Sequence, residues 1–338
     1  PVELAAVNDA MAARGPDGEG TWLSEDRKVG LAHRRLSIID LSDAAAQPMT
    51  LDGGRLVISY NGEIYNFMAL RRELEARGRV FRSRSDTEVL LHLYDVFGPG
   101  MVKKLRGMFA FAIWDDHRRG LFLARDPFGI KPLYYAAGDS VFRAASQVKA
   151  LLAGGGVNLT PDPAGHAGFF LFGYVPDPHT LYADIRALPA GHHLWVDGRG
   201  PAKPRKYFDV TEILARDGTK TDTPGPELGD LLRDTITYHQ VADVPVGVFL
   251  SAGRDSATIA ALAAEADARL ETVTLAFDEF KGTANDEAPL AEKVARLIGA
   301  EQRTVRVSGA DFHEEKAKLL TAMDQPTIDG VNTYFVAR

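Results

Sequence analysis

Apolar positions along this chain change their period more than once, and each change predicts a different kind of element. Residues 55–66, RLVISYNGEIYN, open as a strand, and Asn61-Gly62 is a turn dipeptide expected to break it. From Phe67 to Gly78 the period lengthens: Phe67, Leu70 and Leu74 share one helical face, with Gly78 in the stop position. Ser85 and Glu88 have the Ser-x-x-Glu spacing of a capping box. Behind them Val89, Leu90, Leu93 and Phe97 form the apolar stripe of a second helix, closed by Gly98. MFAFAIWDD then alternates Phe109, Phe111 and Ile113 with small residues, and LFLARD follows after a short turn. Hairpins interleaved with two helices imply an α+β arrangement of packed sheets.

From about Pro201 to Pro226 the pattern dissolves into Lys, Asp, Thr, Gly and Pro, which places a domain boundary there. Beyond it a helix near 227–240 leads to the buried-strand run VPVGVFL, a small-residue loop and an Ala-rich helix over 257–267. ETVTLAF is a further strand, followed by a helix from about 286 to 299 and the strand RTVRV. Strand and helix in alternation predict a parallel sheet in an α/β domain. There is no internal repeat or low-complexity segment.

With 338 residues the chain has room for two ordinary domains. No apolar run approaches the roughly 20 residues of a membrane span, and no basic, apolar leader opens the chain. A soluble, cytoplasmic protein with no membrane partner is expected. The net charge of −7 argues against a nucleic-acid partner, which selects for a basic face. Cysteine is absent, so these residues form no disulfide or thiolate metal site and supply no thiol nucleophile. The nine histidines form no metal-ligand pattern, and His192-His193 has no acidic partner at useful spacing.

Leu250-Ser251-Ala252-Gly253-Arg254-Asp255-Ser256 lies between a predicted buried strand and a helix. Free N–H groups at a helix start attract phosphate, and small residues let the backbone approach it. Ser251 and Ser256 add hydroxyl donors. Asp255 is a candidate Mg²⁺ ligand, since magnesium is commonly held by a carboxylate together with substrate phosphates. The loop is not a Walker A sequence. Taken locally, a plain strand-to-helix turn with a serine cap is the alternative.

That loop resembles the S-G-G-x-D-S loop of the ATP-pyrophosphatase (PP-loop) family, with Ala252 replacing the second glycine and Arg254 at a position often aliphatic. Arg14-Gly15-Pro16-Asp17-Gly18, HRRLSIIDLS at 33–42, Gln47-Pro48, YNGEIYN at 60–66, SRSDTEVLLH at 83–92 and ARDPFGIKPLYY at 124–135 resemble class II glutamine amidotransferase domains. With LPAGHHLWVDG at 188–198, the combination resembles the glutamine-hydrolysing asparagine synthetase family over nearly the whole chain. The resemblance implies an αββα sandwich of the N-terminal-nucleophile-hydrolase kind over 1–205, a linker over 206–225, and an α/β PP-loop domain (adenine nucleotide alpha hydrolase-like) over 226–338.

It also implies roles. Arg35 matches the arginine that clamps the glutamine carboxylate, for which a planar fork is suited. Glu63 and Asp86 match the residues that hold its ammonium group, and Asn61 and Gly62 the oxyanion-hole donors. Each has a plain alternative: Asp86 as an acidic residue at a helix start, Asn61-Gly62 as a hairpin turn, Arg35 as a surface arginine. Leu250 and Leu275 match positions that contact adenine, with buried strand residues as the equal alternative, and Asp324–Asn332 is placed near the acceptor site with no residue of it assigned. Gln147 stands where the family often has Glu.

The family nucleophile is an N-terminal cysteine, and a later Ser-Gly-Glu-Gly-x-Asp-Glu segment completes the second domain. Neither occurs here, so the chain is expected to be a fragment, with a glutaminase that has lost its nucleophile as the alternative, and by itself to run neither half-reaction well. The implied reaction of the whole hydrolyses glutamine, passes ammonia internally, and uses ATP and Mg²⁺ to activate aspartate as β-aspartyl-AMP. Asparagine, AMP and pyrophosphate result, and a homodimer is compatible with the family. Amidation of another carboxylate, a β-lactam-synthetase-like ligase and a non-catalytic scaffold are the alternatives.

Overall fold

Period-two alternation in the first half produces sheets stacked on sheets. The computed structural model describes residues 2–138, 140–216, 227–251, 253–266 and 269–337, and the chain divides into two units, Pro1–Lys220 and Thr221–Arg338. The first runs α1 (Val2–Ala10), β1 (Gly18–Leu23), β2 (Gly30–Arg35), β3 (Met49–Leu51), β4 (Leu56–Ile64), α2 (Phe67–Glu75), α3 (Asp86–Phe97), β5 (Gly107–Asp115) and β6 (Gly120–Arg125). It continues with β7 (Tyr134–Ala137), β8 (Phe142–Ala145), α4 (Val148–Gly154), α5 (Pro163–Phe172), β9 (Ile185–Ala187), β10 (His192–Asp197), β11 (Gly200–Pro201), β12 (Arg205–Lys206) and α6 (Val210–Arg216).

Strands β11, β10, β6, β5, β4 and β3 pair in that order in an antiparallel sheet, joined by β12 through β10. A second layer holds the β1–β2 hairpin and the antiparallel β8–β7–β9 sheet. Helices α2 and α3 pack outside the first layer, α1 and α4 outside the second, which gives an αββα sandwich. β5 shows why. Phe109, Phe111 and Ile113 are fully buried toward α3, in an aromatic stack that runs through Phe122 to Tyr94. The intervening Ala110 and Trp114 pack against Leu133, Leu188 and Leu31 of the second layer. Each buried phenylalanine contributes roughly 2–3 kcal/mol of apolar burial, so a one-residue slip of β5 would exchange large and small side chains between layers.

Both predicted helices form, with Phe67, Leu70 and Leu74 of α2 and Val89, Leu90 and Leu93 of α3 buried. Three local expectations change. Asn61-Gly62 is no turn: β4 continues through it, pairing with Ala110 and Phe109 of β5, because ladder pairing overrides the dipeptide's local preference. Ser85 caps α3 by accepting the Thr87 N–H at 3.1 Å, but Glu88 does not complete a capping box. Its carboxylate instead accepts the N–H groups of Arg82 (2.9 Å) and Ser83 (2.7 Å), since the segment before the cap folds back over the first turn. Within the stretch read as a linker, Asp209 accepts the Thr211 N–H at 2.9 Å and starts α6; positions 217–226 lie outside the described residues.

The second unit comprises α7 (Leu228–His239), β13 (Gly247–Phe249), α8 (Arg254–Ala266), β14 (Glu271–Phe277), α9 (Ala288–Ile298), β15 (Glu301–Val307), α10 (Gly309–Ala322) and α11 (Gly330–Ala337). The three strands are parallel in sequence order. Leu250, Ala260, Ala263, Ala291 and Ala295 fill one face of the sheet, and Val307, Leu319 and Phe335 fill the other. The VPVGVFL strand is shorter than its apolar run, and Phe249 is 60% exposed beside a cavity. Among the described residues no helix is long and apolar enough to cross a membrane.

Candidate functional site

The first unit's polar cavity opens along the edge of β4 beyond the end of β3. In an antiparallel strand alternate N–H groups point to the same edge. Tyr60 donates its N–H to Gln47 Oε1 at 2.7 Å, and Ile64 donates its own to Asp86 Oδ2 at 3.0 Å. The residue between them, Gly62, therefore directs its N–H to this same edge, where it lines a cavity of about 190 Å³ with Asn61, Glu63 and Asp86. Asn61 Nδ2 is buried and has no hydrogen-bond partner. Buried polar groups are almost always paired, so this amide stands out, next in the chain to the Gly62 N–H on the cavity edge of β4.

Only glycine fits at position 62. Its φ is +156°, and a Cβ would lie 2.2 Å from Met108 O and 2.7 Å from Phe109 Cα. Asp86 begins α3, is 4% exposed, and accepts the Tyr60 hydroxyl at 2.8 Å. Burial pushes its carboxyl above the ordinary range, opposed by the Ile64 N–H and the Tyr60 hydroxyl. A cation in the cavity would favour its charged form.

Arg35, at the end of β2, also lines the cavity. Its guanidinium donates from Nη1 to Ser42 O at 3.0 Å and from Nη2 to the Ile39 and Asp40 carbonyls. Part of the fork thus shapes the 39–42 loop, whose Ile39 lines the same cavity. The structure brings Arg35, Asn61, Gly62, Glu63 and Asp86 together in one pocket. Sequence reasoning gave no role to Gln47, Tyr60 or Lys131, which join them; all three lie inside the motif segments, the one available signal. Burial, with Arg14 acting in the same direction, holds the Lys131 ammonium below its usual pKa, against the pull of Glu63 and Asp126.

His33 lies between this cavity and the inter-sheet space, with Nδ1 3.4 Å from Ser59 Oγ. Burial, and secondarily the Arg35 charge, lower its pKa to about 4. The folded state thus binds this proton less readily than the unfolded chain, whose histidine titrates near 6.5. The stabilisation is fully present above about pH 6.5 and is lost as pH falls from there toward 4, by about 3 kcal/mol in all. His193, also lowered by burial, adds the same sign. We expect His33→Gln to flatten most of this decline in urea melts between pH 6.5 and 4; an unchanged slope would contradict the assignment.

In the second unit β13 leads through Leu250 and Ser251 into α8. Ser256 Oγ accepts the Ser251 N–H at 3.1 Å and lies 2.8 Å from Ser251 Oγ, while Gly253 donates its N–H to Ser251 Oγ at 3.2 Å. The paired serines close the loop on itself ahead of a 13-residue helix. Ala252 lies outside the described residues. Arg254 and Asp255 are exposed in the first turn of α8. A cavity of about 460 Å³ collects Leu250, Ser251 and Leu275 with Phe249, Phe280 and Asn332. Gly253, Arg254, Asp255 and Ser256 stand outside its lining, and Asn332 ties it to the 324–332 segment. Among the described residues no cluster of three or more metal-ligating side chains occurs. Asp255 is one exposed carboxylate, a donor set that suits magnesium shared with phosphate oxygens.

A donor-lined cavity in an αββα sandwich and a serine-closed loop on a parallel sheet characterise the two units. Residues 2–208 match the family described as glutamine amidotransferase domain, and residues 227–338 match asparagine synthase. The chain belongs to the glutamine-hydrolysing asparagine synthetase family. It is 35% identical over 338 residues to asparagine synthetase [glutamine-hydrolyzing] 1 of Bacillus subtilis (strain 168), covering 99% of this chain and 52% of that protein. It is 32% identical over 362 residues to putative asparagine synthetase [glutamine-hydrolyzing] 2 of Methanocaldococcus jannaschii, covering 99% and 68%. The chain spans about half the length of the first of these relatives. The glutamine phosphoribosylpyrophosphate amidotransferase of B. subtilis superposes with a TM-score of 0.47 at 16% identity, over 98% of this chain and 70% of that one, too distant to add to the argument.

Proposed function

We propose that this chain carries the glutamine site and the ATP site of a synthetase that makes asparagine from aspartate. The observation that carries the reading is the buried Asn61 Nδ2, which has no partner, next to Gly62, whose N–H lies on the cavity edge of β4; together they would donate to an amide oxygen as it gains charge. Asp86 and Glu63 receive the ammonium group of glutamine, and Arg35 receives its carboxylate with the donors not committed to the 39–42 loop. The 338 residues hold no cysteine, so none of them is assigned the thiol attack.

In the second unit ATP lies in the cavity walled by Leu250 and Leu275, its phosphates toward Ser251 and the start of α8, where helix N–H groups favour anions. Asp255 is the residue that would hold magnesium, which when bound neutralises phosphate charge. Transfer of AMP to the β-carboxylate of aspartate, with release of pyrophosphate, prepares that carbon for ammonia.

Isothermal titration tests both halves on the chain itself. L-Glutamine and Mg-ATP are each expected to bind at a single site, independently. Asp86→Ala should weaken glutamine roughly 100-fold, as loss of a buried charged partner implies, and leave Mg-ATP unchanged. Asp255→Ala should do the reverse. Glutamine that fails to bind, or binds Asp86→Ala as well as the native chain, would refute the pocket.

A further inference from the structure

β3 stops one step short of the donor edge, and a side chain takes over its place. In the β3–β4 ladder Met49 lies opposite Ile58, so continuing the register would set Gln47 opposite Tyr60. The main chain does not continue the strand there. Instead the Gln47 carboxamide turns in, and its Oε1 accepts the Tyr60 N–H at 2.7 Å as a backbone carbonyl would. Its Nε2 points to Thr87 Oγ1 at 3.4 Å, next to Asp86. The Gln47 main chain also lies close against β1, its carbonyl oxygen 2.2 Å from where a Cβ on Gly20 would stand. Gln47 lines the cavity beside Asn61 and Gly62.

Three N–H groups on one edge of β4 thus have different fates. Tyr60's is bound by Gln47, Ile64's by Asp86, and Gly62's between them faces the cavity. The outer two bonds act as braces that set the height and tilt of the middle donor. We infer that Gln47 is a positioning residue of the glutamine pocket: its carboxamide replaces a strand partner and holds the Asn61-Gly62 pair at the amide end of the ligand. This rests on the glutamine reading of the cavity. The residue type follows from the geometry. A glutamate would keep the acceptor for Tyr60, a methionine would keep the length and lose it, and an asparagine would fall short by one methylene.

L-Norvaline separates the amide end from the rest of the ligand, because it has the carboxylate, the ammonium group and the same carbon chain but no amide. Titrating glutamine and norvaline into the native chain gives the contribution of the amide end as a ratio of Kd values. Gln47→Met is expected to raise the glutamine Kd about tenfold, the scale of one lost or misaligned hydrogen bond, and to leave norvaline within about twofold. Gln47→Glu should keep the native ratio within about threefold. Should Gln47→Met fail to fold, Gln47→Asn takes its place with the same expected change. An unchanged ratio in Gln47→Met or Gln47→Asn overturns the inference, and so does parallel weakening of both ligands. A native chain that binds glutamine no better than norvaline overturns the glutamine reading itself, and this inference with it.

Discussion

Replacing Asp126 with alanine will lower the stability of the first unit by about 4 kcal/mol, and asparagine will restore less than half of that. Asp126 is 0% exposed. One carboxylate oxygen accepts the N–H groups of Phe128 and Ile130, both at 3.0 Å; the other accepts those of Lys131 at 2.9 Å and Phe109 at 3.3 Å. Its main chain exchanges further bonds with Phe109 and Gly191. Alanine strands four donors around a small void. Asparagine keeps the shape but turns an NH₂ group toward two N–H groups, so the isostere repeats the fault on one side. The three tryptophans, Trp22, Trp114 and Trp195, all lie in the first unit, so their fluorescence follows this unit alone. The loss should appear as a fall in Tm of about 10 °C. An Asp126→Asn variant within about 1 kcal/mol of native would show that the nest is dispensable.

Gly62→Ala will remove glutamine binding more completely than any substitution of a side chain in the pocket. The added carbon meets Met108 O, Phe109 Cα and the Tyr60 ring at 2.2, 2.7 and 2.9 Å. β4 must then move away from β5 at the residue whose N–H faces the ligand. Overpacking of this kind costs about 3 kcal/mol, with added strain from a φ that L-residues avoid. The variant should still fold at low temperature, which permits titration there. Glutamine affinity within about threefold of native would mean that this edge does not contact the ligand.

How far the sequence speaks for the structure depends on whether a signal is local. The alternation in MFAFAIWDD specifies β5 because both of its faces are filled, Phe109, Phe111 and Ile113 toward α3 and Ala110, Ala112 and Trp114 toward the second layer. The stripe over 89–97 specifies α3 for the same reason. Asn61-Gly62 misleads because a turn propensity is a property of two residues, whereas its extended form is imposed by Ala110 and Phe109, nearly fifty residues on. Glu88 has the spacing of a box but finds nearer donors in a backbone that spacing cannot show. Helix α6 hides in a polar stretch since a seven-residue helix carries too few apolar positions to set a period. The pocket residues named from motifs gather in one cavity, yet Gln47 and Lys131 gain meaning only from what the fold sets beside them.

The unpartnered amide of Asn61 has a thermodynamic side. A buried donor without a protein acceptor is a cost to the fold, and Asn61 is one of the residues that line the cavity proposed to take glutamine. Saturation with such a ligand raises apparent stability by mass action, and part of that gain is the relief of this one group. Selection for heat resistance alone would discard the asparagine in favour of an apolar side chain of similar volume, which on the proposed glutamine reading would disable the pocket. A position where the fold is less stable than its neighbours would allow is therefore a record of the work the pocket is kept for.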